Sequence, residues 1–124
     1  MWRLISIGLA GFVGTIARYW LAGWTTQRFG ETFPFGTLVV NLLGCFLAGL
    51  FTYLMFERFV VSPTARTILL IGLLGGFTTF SSFGFQTFNL IREGEVGMAL
   101  LNILVSNAAG LFMVWLGYSI AKVV

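Results

Sequence analysis

Charged residues are rare in this chain, and they fall at intervals that mark out membrane spans. Residues 32–56, 67–91 and 96–121 carry no charge at all, and Leu4 to Gln27 is interrupted only by Arg18. A helix needs roughly 20 apolar residues to cross a hydrocarbon core of about 30 Å. The pattern therefore predicts four transmembrane helices, at about 3–27, 34–56, 67–91 and 97–122, forming one domain over residues 1–124. The expected fold class is an all-α membrane protein. The first segment has the short basic start of a signal peptide. It runs on past Arg18 through Tyr19-Trp20-Leu21-Ala22-Gly23-Trp24, and Trp20 and Trp24 suit a headgroup belt, so it is expected to stay in the mature chain.

The third span is not an ordinary anchor. Its middle reads Gly75-Gly76-Phe77-Thr78-Thr79-Phe80-Ser81-Ser82-Phe83-Gly84. Paired glycines followed by hydroxyl residues weaken a helix, so a break is expected near Gly75–Thr79. Irregular backbone at bilayer depth is tolerated where it is buried in protein or lines a cavity. On a regular helix Phe77, Phe80 and Phe83 would share one side. Ring edges carry partial positive charge, and beside the hydroxyls of Thr78, Thr79, Ser81 and Ser82 they would suit a small anion that accepts hydrogen bonds. Packing is the competing reading of an aromatic stripe. The glycines also permit two readings: a simple kink, or freed carbonyls that hold an alkali cation where two such breaks meet.

The other polar residues at depth fall into sets. Thr37 and Asn41 lie four apart on the second helix and share a face. Asn102 and Ser106 do the same on the fourth, with Asn107 adjacent. Each asparagine can serve as interhelical glue or as part of a polar track. Arg18 can snorkel to the interface or line a vestibule and concentrate anions.

Composition narrows the function. The chain is 58% hydrophobic and 9% charged, with no histidine and a single cysteine, Cys45. That excludes an intrachain disulfide and leaves no metal cluster, and a formal charge of +3 spread over loops does not suggest nucleic acid. The carboxylates Glu31, Glu57, Glu93 and Glu95 all fall at span ends. A small dual-topology drug or cation exporter, the alternative reading, needs a membrane carboxylate to exchange protons. Enzymatic activity is not expected. Arg3, Arg58, Arg66 and Lys122 would lie on one side of the membrane, with Arg28 and Arg92 on the other, plus Arg18 if it points that way. Orientation follows this bias, which is small here. Either both termini are cytoplasmic, or the chain inserts both ways and pairs as an antiparallel dual-topology homodimer.

Two segments, Gly36-Thr37-Leu38-Val39-Val40-Asn41-Leu42-Leu43-Gly44 and Gly75 to Phe83, resemble the Fluc (CrcB-type) family of fluoride ion channels, as does Gly14 to Arg18. The resemblance covers nearly the whole length. It implies an antiparallel homodimer in a bacterial plasma membrane, with two fluoride pores that export the toxic anion by passive electrodiffusion. It implies Phe80 and Phe83 as pore phenylalanines, and Asn41 as an amide that orients a ring. Thr37 and Ser81 then lie on the polar track and Arg18 at the vestibule. It also implies a structural sodium ion on the carbonyls of Gly75 and Thr78. Asn102, Ser106 and Asn107 are the candidates for the fourth-helix side. There Ile103 replaces a tyrosine, and Asn107 a serine, found in some members. Gln86 stands where some relatives have glutamate.

Overall fold

A computed structural model describes residues 1–124. The chain is all-helical, with α1 (Trp2–Phe29), α2 (Phe35–Arg58), α3 (residues 63–77), α4 (Phe80–Arg92) and α5 (Val96–Val123). Four stretches are long and apolar enough to cross a membrane: Trp2–Phe29, Phe35–Arg58, Pro63–Arg92 and Val96–Val123. The third contains α3 and α4.

Local chemistry sets the ends. Gly30, at φ +87°, terminates α1 and donates its N–H to the Thr26 carbonyl at 2.8 Å. A β-carbon is disfavoured at such a φ, so glycine suits this C-cap. The third span starts at Pro63, ahead of the charge-free run, because Ser62 caps it: the Ala65 N–H donates to the Ser62 hydroxyl at 3.2 Å. Ile68–Leu74 then widens into a π-helical stretch, which ends with the Gly75 N–H shared between the Gly72 and Leu70 carbonyls. Inside the spans, Thr25, Thr52 and Thr87 donate their hydroxyls to the carbonyl four residues back, each at 2.7 Å. This satisfies hydroxyls that lipid cannot.

The helix breaks within the expected region, but not at the glycines. Gly75–Phe77 remains helical, and Thr78 (φ −88°, ψ 158°) and Thr79 (φ −150°, ψ 113°) are extended. β-branched threonines favour that geometry. The glycines serve helix approach instead. A β-carbon on Gly76 would run into the backbone of Gly11, and one on Gly14 into the Leu73 carbonyl oxygen. Across α2 and α5, a β-carbon on Gly49 would meet the Val114 carbonyl, and one on Gly117 the Phe46 carbonyl. Small residues let membrane helices pack this closely where lipid offers no hydrophobic drive for association.

The bundle core is small. It includes Val40, Leu74, Phe77, Leu90 and Ala99, while Leu9, Phe12, Trp20, Leu104, Leu111 and Trp115 face outward. Outward apolar side chains are the normal covering of a lipid-facing surface. Tyr118 on α5 donates its hydroxyl to Glu57 at the end of α2, and its ring meets Tyr53 edge-on, 5.4 Å between centroids.

Gly117→Val should destabilise the bundle by about 1–3 kcal/mol or more, because backbone lies where the side chain must go. Gly8→Ala, which meets nothing within 4 Å, should leave the thermal midpoint unchanged or slightly raised. Thermal unfolding in detergent checks both, and equal midpoints for wild type and Gly117→Val would contradict the packing described.

Candidate functional site

Breaking a helix frees backbone groups that would otherwise bond four residues along. At Thr78–Thr79 these groups are met by side chains from two other helices. Asn41 on α2 accepts from the Thr79 N–H at 2.9 Å and donates Nδ2 to the Thr79 carbonyl at 3.0 Å. One amide thus satisfies both sides of the broken residue. From α1, Arg18 Nε donates to the Gly76 carbonyl at 3.2 Å, and the Thr15 hydroxyl lies 3.5 Å from the same oxygen. Arg18 therefore reaches into the bundle instead of snorkelling to the interface.

Thr79 then starts the next helix. Its hydroxyl accepts from the Ser82 N–H at 3.1 Å, donates to Ser82 Oγ at 3.0 Å and lies 3.3 Å from Ser81 Oγ. Three hydroxyls are gathered at the first turn of α4 as a result.

Three carbonyls of the break, those of Gly75, Phe77 and Thr78, find no donor in the chain. The Thr78 N–H goes to Leu74, the Thr79 N–H to Asn41 and the Ser82 N–H to Thr79 Oγ1. No protein group donates to Gly75 O, Phe77 O or Thr78 O.

The aromatic stripe is interrupted by the same break. Phe77 is buried among backbone, against Gly14 and Gly44, and is not part of the outer patch. Phe80 and Phe83 remain together, with centroids 5.4 Å apart at an interplanar angle of 42°. Phe80 is 82% exposed, in the middle of a membrane span. The regular-helix assumption that put all three rings on one side fails at the two extended threonines.

Two clefts adjoin the break, and a third adjoins one of them. The first, about 490 Å³, opens on the face that carries Phe80 and Phe83 and is also lined by Asn41, Gly75, Thr78 and Ser106. A second, about 570 Å³, is lined by Arg18, Thr37, Ser82 and Gln86. Thr79 belongs to both, as the wall between them. The third, about 330 Å³, shares Thr37, Gln86 and Glu31 with the second and leads outward past Glu93. The three clefts thus share lining residues in series, from Glu93 near a span end to Thr79, with Phe80 and Phe83 in the cleft on the far side of Thr79.

The sequence candidates distribute as follows. Asn41, Phe80, Phe83, Gly75 and Thr78 meet at one cleft; Thr37 and Arg18 meet at the adjoining one. Ser81 is exposed and reaches neither, touching the site through Thr79. Ser106 and Asn107 line the cleft of Phe80, although the Asn107 amide donates within its own helix to Ile103 at 2.7 Å. Asn102 stands apart. It is 2% exposed and donates to Thr87 Oγ1 at 2.9 Å, while Ser106 donates to its oxygen at 3.2 Å. Its polar atoms tie α5 to α4 inside the bundle.

Asn41 also differs from expectation. Its amide is engaged by the Thr79 backbone, so any effect on a ring is indirect, through the position of the break. Sequence reasoning missed Thr15 as a site residue, and it named the Thr79 and Ser82 hydroxyls only as neighbours of the aromatic stripe. The signal for Thr15 was its place one turn before Arg18, on the same face. Gln86 lines two clefts, and its buried Oε1 has no partner.

Comparison with known proteins identifies the family. The family described as CrcB-like protein, Camphor Resistance (CrcB), matches residues 5–118. Among curated relatives, the Fluoride-specific ion channel FluC of Citrifermentans bemidjiense is 44% identical over 122 residues, covering 98% of each chain. The protein of the same name from Opitutus terrae is 47% identical over 116 residues, 92% of this chain and 88% of that one. That of Aquifex aeolicus is 40% identical over 119 residues, 96% of each. With a match across nearly its full length and relatives well above 30% identity, the chain belongs to the CrcB family.

Proposed function

We propose that this chain is a fluoride-selective channel of a bacterial plasma membrane, working as an antiparallel homodimer with two pores. One observation carries the reading: relatives named as fluoride-specific channels match nearly the whole chain. The break supplies what such a channel needs, since it gathers hydroxyls and an amide between a polar cleft and a pair of tilted phenylalanines. No comparable observation favours a drug or cation exporter, whose proton exchange needs a carboxylate at mid-span.

Fluoride is small, strongly hydrated and a strong hydrogen-bond acceptor. A selective path replaces its water with fixed donors and ring edges in a narrow bore. The clefts beside Arg18 admit the hydrated ion. The hydroxyls of Thr79, Ser82 and Ser81 then take over part of its shell, and the edges of Phe80 and Phe83 follow. Fluoride enters acid-exposed cells as neutral HF and dissociates inside. The membrane potential, worth about 2.3 kcal/mol per charge per 100 mV, drives the anion out. No coupling ion or nucleotide is needed.

The dimer follows from what a single chain leaves open. Phe80 is largely exposed beside a cleft of about 490 Å³ on the span face. Gly75 and Thr78 line that cleft, their carbonyls have no donor in the chain, and unwound-helix carbonyls suit a sodium ion. Two oxygens do not complete a shell. A second copy, antiparallel to the first, would bring two more and hold a structural, non-transported sodium ion on the shared axis. Its surface would also close the pore around Phe80.

Three outcomes are expected. Phe80→Ile should lower fluoride efflux from proteoliposomes at least about tenfold while the protein stays folded, since the ring is exposed and its loss opens no cavity; wild-type flux would remove the ring-edge role. Asn41→Asp should lower flux by about tenfold or more, because it leaves the Thr79 carbonyl without its donor and adds negative charge near an anion path. A label attached at Val124 should be reachable from both sides of the membrane, and strictly one-sided labelling would contradict dual topology.

A further inference from the structure

Arg18 and Thr15 reach the break by a contact that anion attraction does not require. In an unbroken helix the Gly76 carbonyl would accept from the N–H of Phe80. The extended threonines remove that donor, and α1 supplies replacements: Arg18 Nε at 3.2 Å and, at the outer edge of hydrogen bonding, Thr15 Oγ1 at 3.5 Å. Both donors come from one face of α1, one turn apart. They reach the carbonyl only because the helices nearly touch, with Gly11 and Gly14 set directly against Gly76, Leu73 and Phe77. The other N–H groups of the guanidinium have no partner in the chain, and the side chain lines the cleft that meets Thr79.

We propose that Arg18, assisted by Thr15, is a positioning residue that holds the end of α3 in place through the Gly76 carbonyl. Its directed N–H matters in addition to its charge. A charge–dipole hydrogen bond to a carbonyl at low dielectric is stronger than the same contact in water. Losing it would leave the Gly76 oxygen unpaired at membrane depth. The last turn of α3 would then be free to shift, together with the Gly75 carbonyl beside it and the Thr79 hydroxyl beyond. Arg18 thereby links the cleft it lines to the backbone frame of the site. This role rests on the channel reading for its functional consequence, but not for its structural one.

Charge and directed donor are separable. Arg18→Gln removes the charge and keeps an N–H donor, and Arg18→Met removes both. Thr15→Val removes a hydroxyl at constant charge and similar shape, and Thr15→Ser restores it. Amide exchange over residues 77–83 is measured by mass spectrometry alongside fluoride efflux from proteoliposomes at low and high ionic strength. In Arg18→Met the break should exchange about tenfold faster than in wild type, and flux should fall at both ionic strengths. Arg18→Gln should keep most of the protection. Thr15→Val should show a smaller acceleration, about two- to threefold, that Thr15→Ser reverses.

The proposal is overturned if Arg18→Gln and Arg18→Met lose flux equally, keep wild-type exchange, and differ from wild type only at low ionic strength. That pattern would mean attraction alone, which salt screens. Should Arg18→Met not fold, the Thr15 pair decides on exchange, and unchanged protection in Thr15→Val together with Arg18→Gln as exposed as an unlocked break would overturn it. Absence of fluoride flux in wild type would remove the channel reading and leave the exchange result to stand on its own.

Discussion

Everything at the centre of this molecule follows from one interruption: two extended residues, Thr78 and Thr79, in the middle of a membrane span. Backbone polar groups at that depth have no water to fall back on, and each one left unpaired is costly. The chain answers with donors and acceptors carried on other helices. Asn41 closes both sides of Thr79, Arg18 and Thr15 meet Gly76, and the Thr79 hydroxyl caps the helix that follows. What remains unmet includes the carbonyls of Gly75 and Thr78, two residues that line a cleft on the outside of the bundle. The same constraint thus fixes the local structure around that cleft.

The glycines make that answer possible. Arg18 and Thr15 can reach Gly76 because α1 and α3 pack backbone to backbone at Gly11, Gly14 and Gly76. Asn41 can reach Thr79 because α2 comes close at Gly44, where any side chain would collide with Thr78. A bundle held apart by larger residues would leave the break without partners, and the span would then favour an unbroken helix. Function is purchased here with close packing: the hydroxyls and rings that suit an anion are presented only because the backbone around them is held elsewhere.

Much of this was legible in the sequence, but unevenly. The four spans were visible because charge is so costly in lipid that its absence marks a helix directly. The break region was visible for the opposite reason, since glycines and hydroxyls crowd a place where an anchor needs neither. Its exact residue was not. Gly75 and Gly76 looked like the cause of unwinding, yet they stay helical and serve the approach of α1, a tertiary contact that local propensity does not report. The Phe77–Phe80–Phe83 periodicity failed for the same reason, because it presupposed the helix that the threonines interrupt. Asn102 and Ser106 do share a face and do bond, but the partner that draws Asn102 inward is Thr87, on another helix. Arg18 offered two readings from position alone, and neither named the Gly76 carbonyl. Local pattern told which residues were unusual, and only the three-dimensional arrangement told what each one touches.

The most direct test of the account is the reversal potential of current through the purified protein in a planar bilayer, with a fluoride gradient, symmetrical chloride and sodium on both sides. A fluoride-selective path predicts reversal at the fluoride equilibrium potential, unmoved when chloride is made asymmetric. Reversal that follows the chloride gradient, or that of the cation, would contradict the assignment of the break and its phenylalanines to a fluoride pathway.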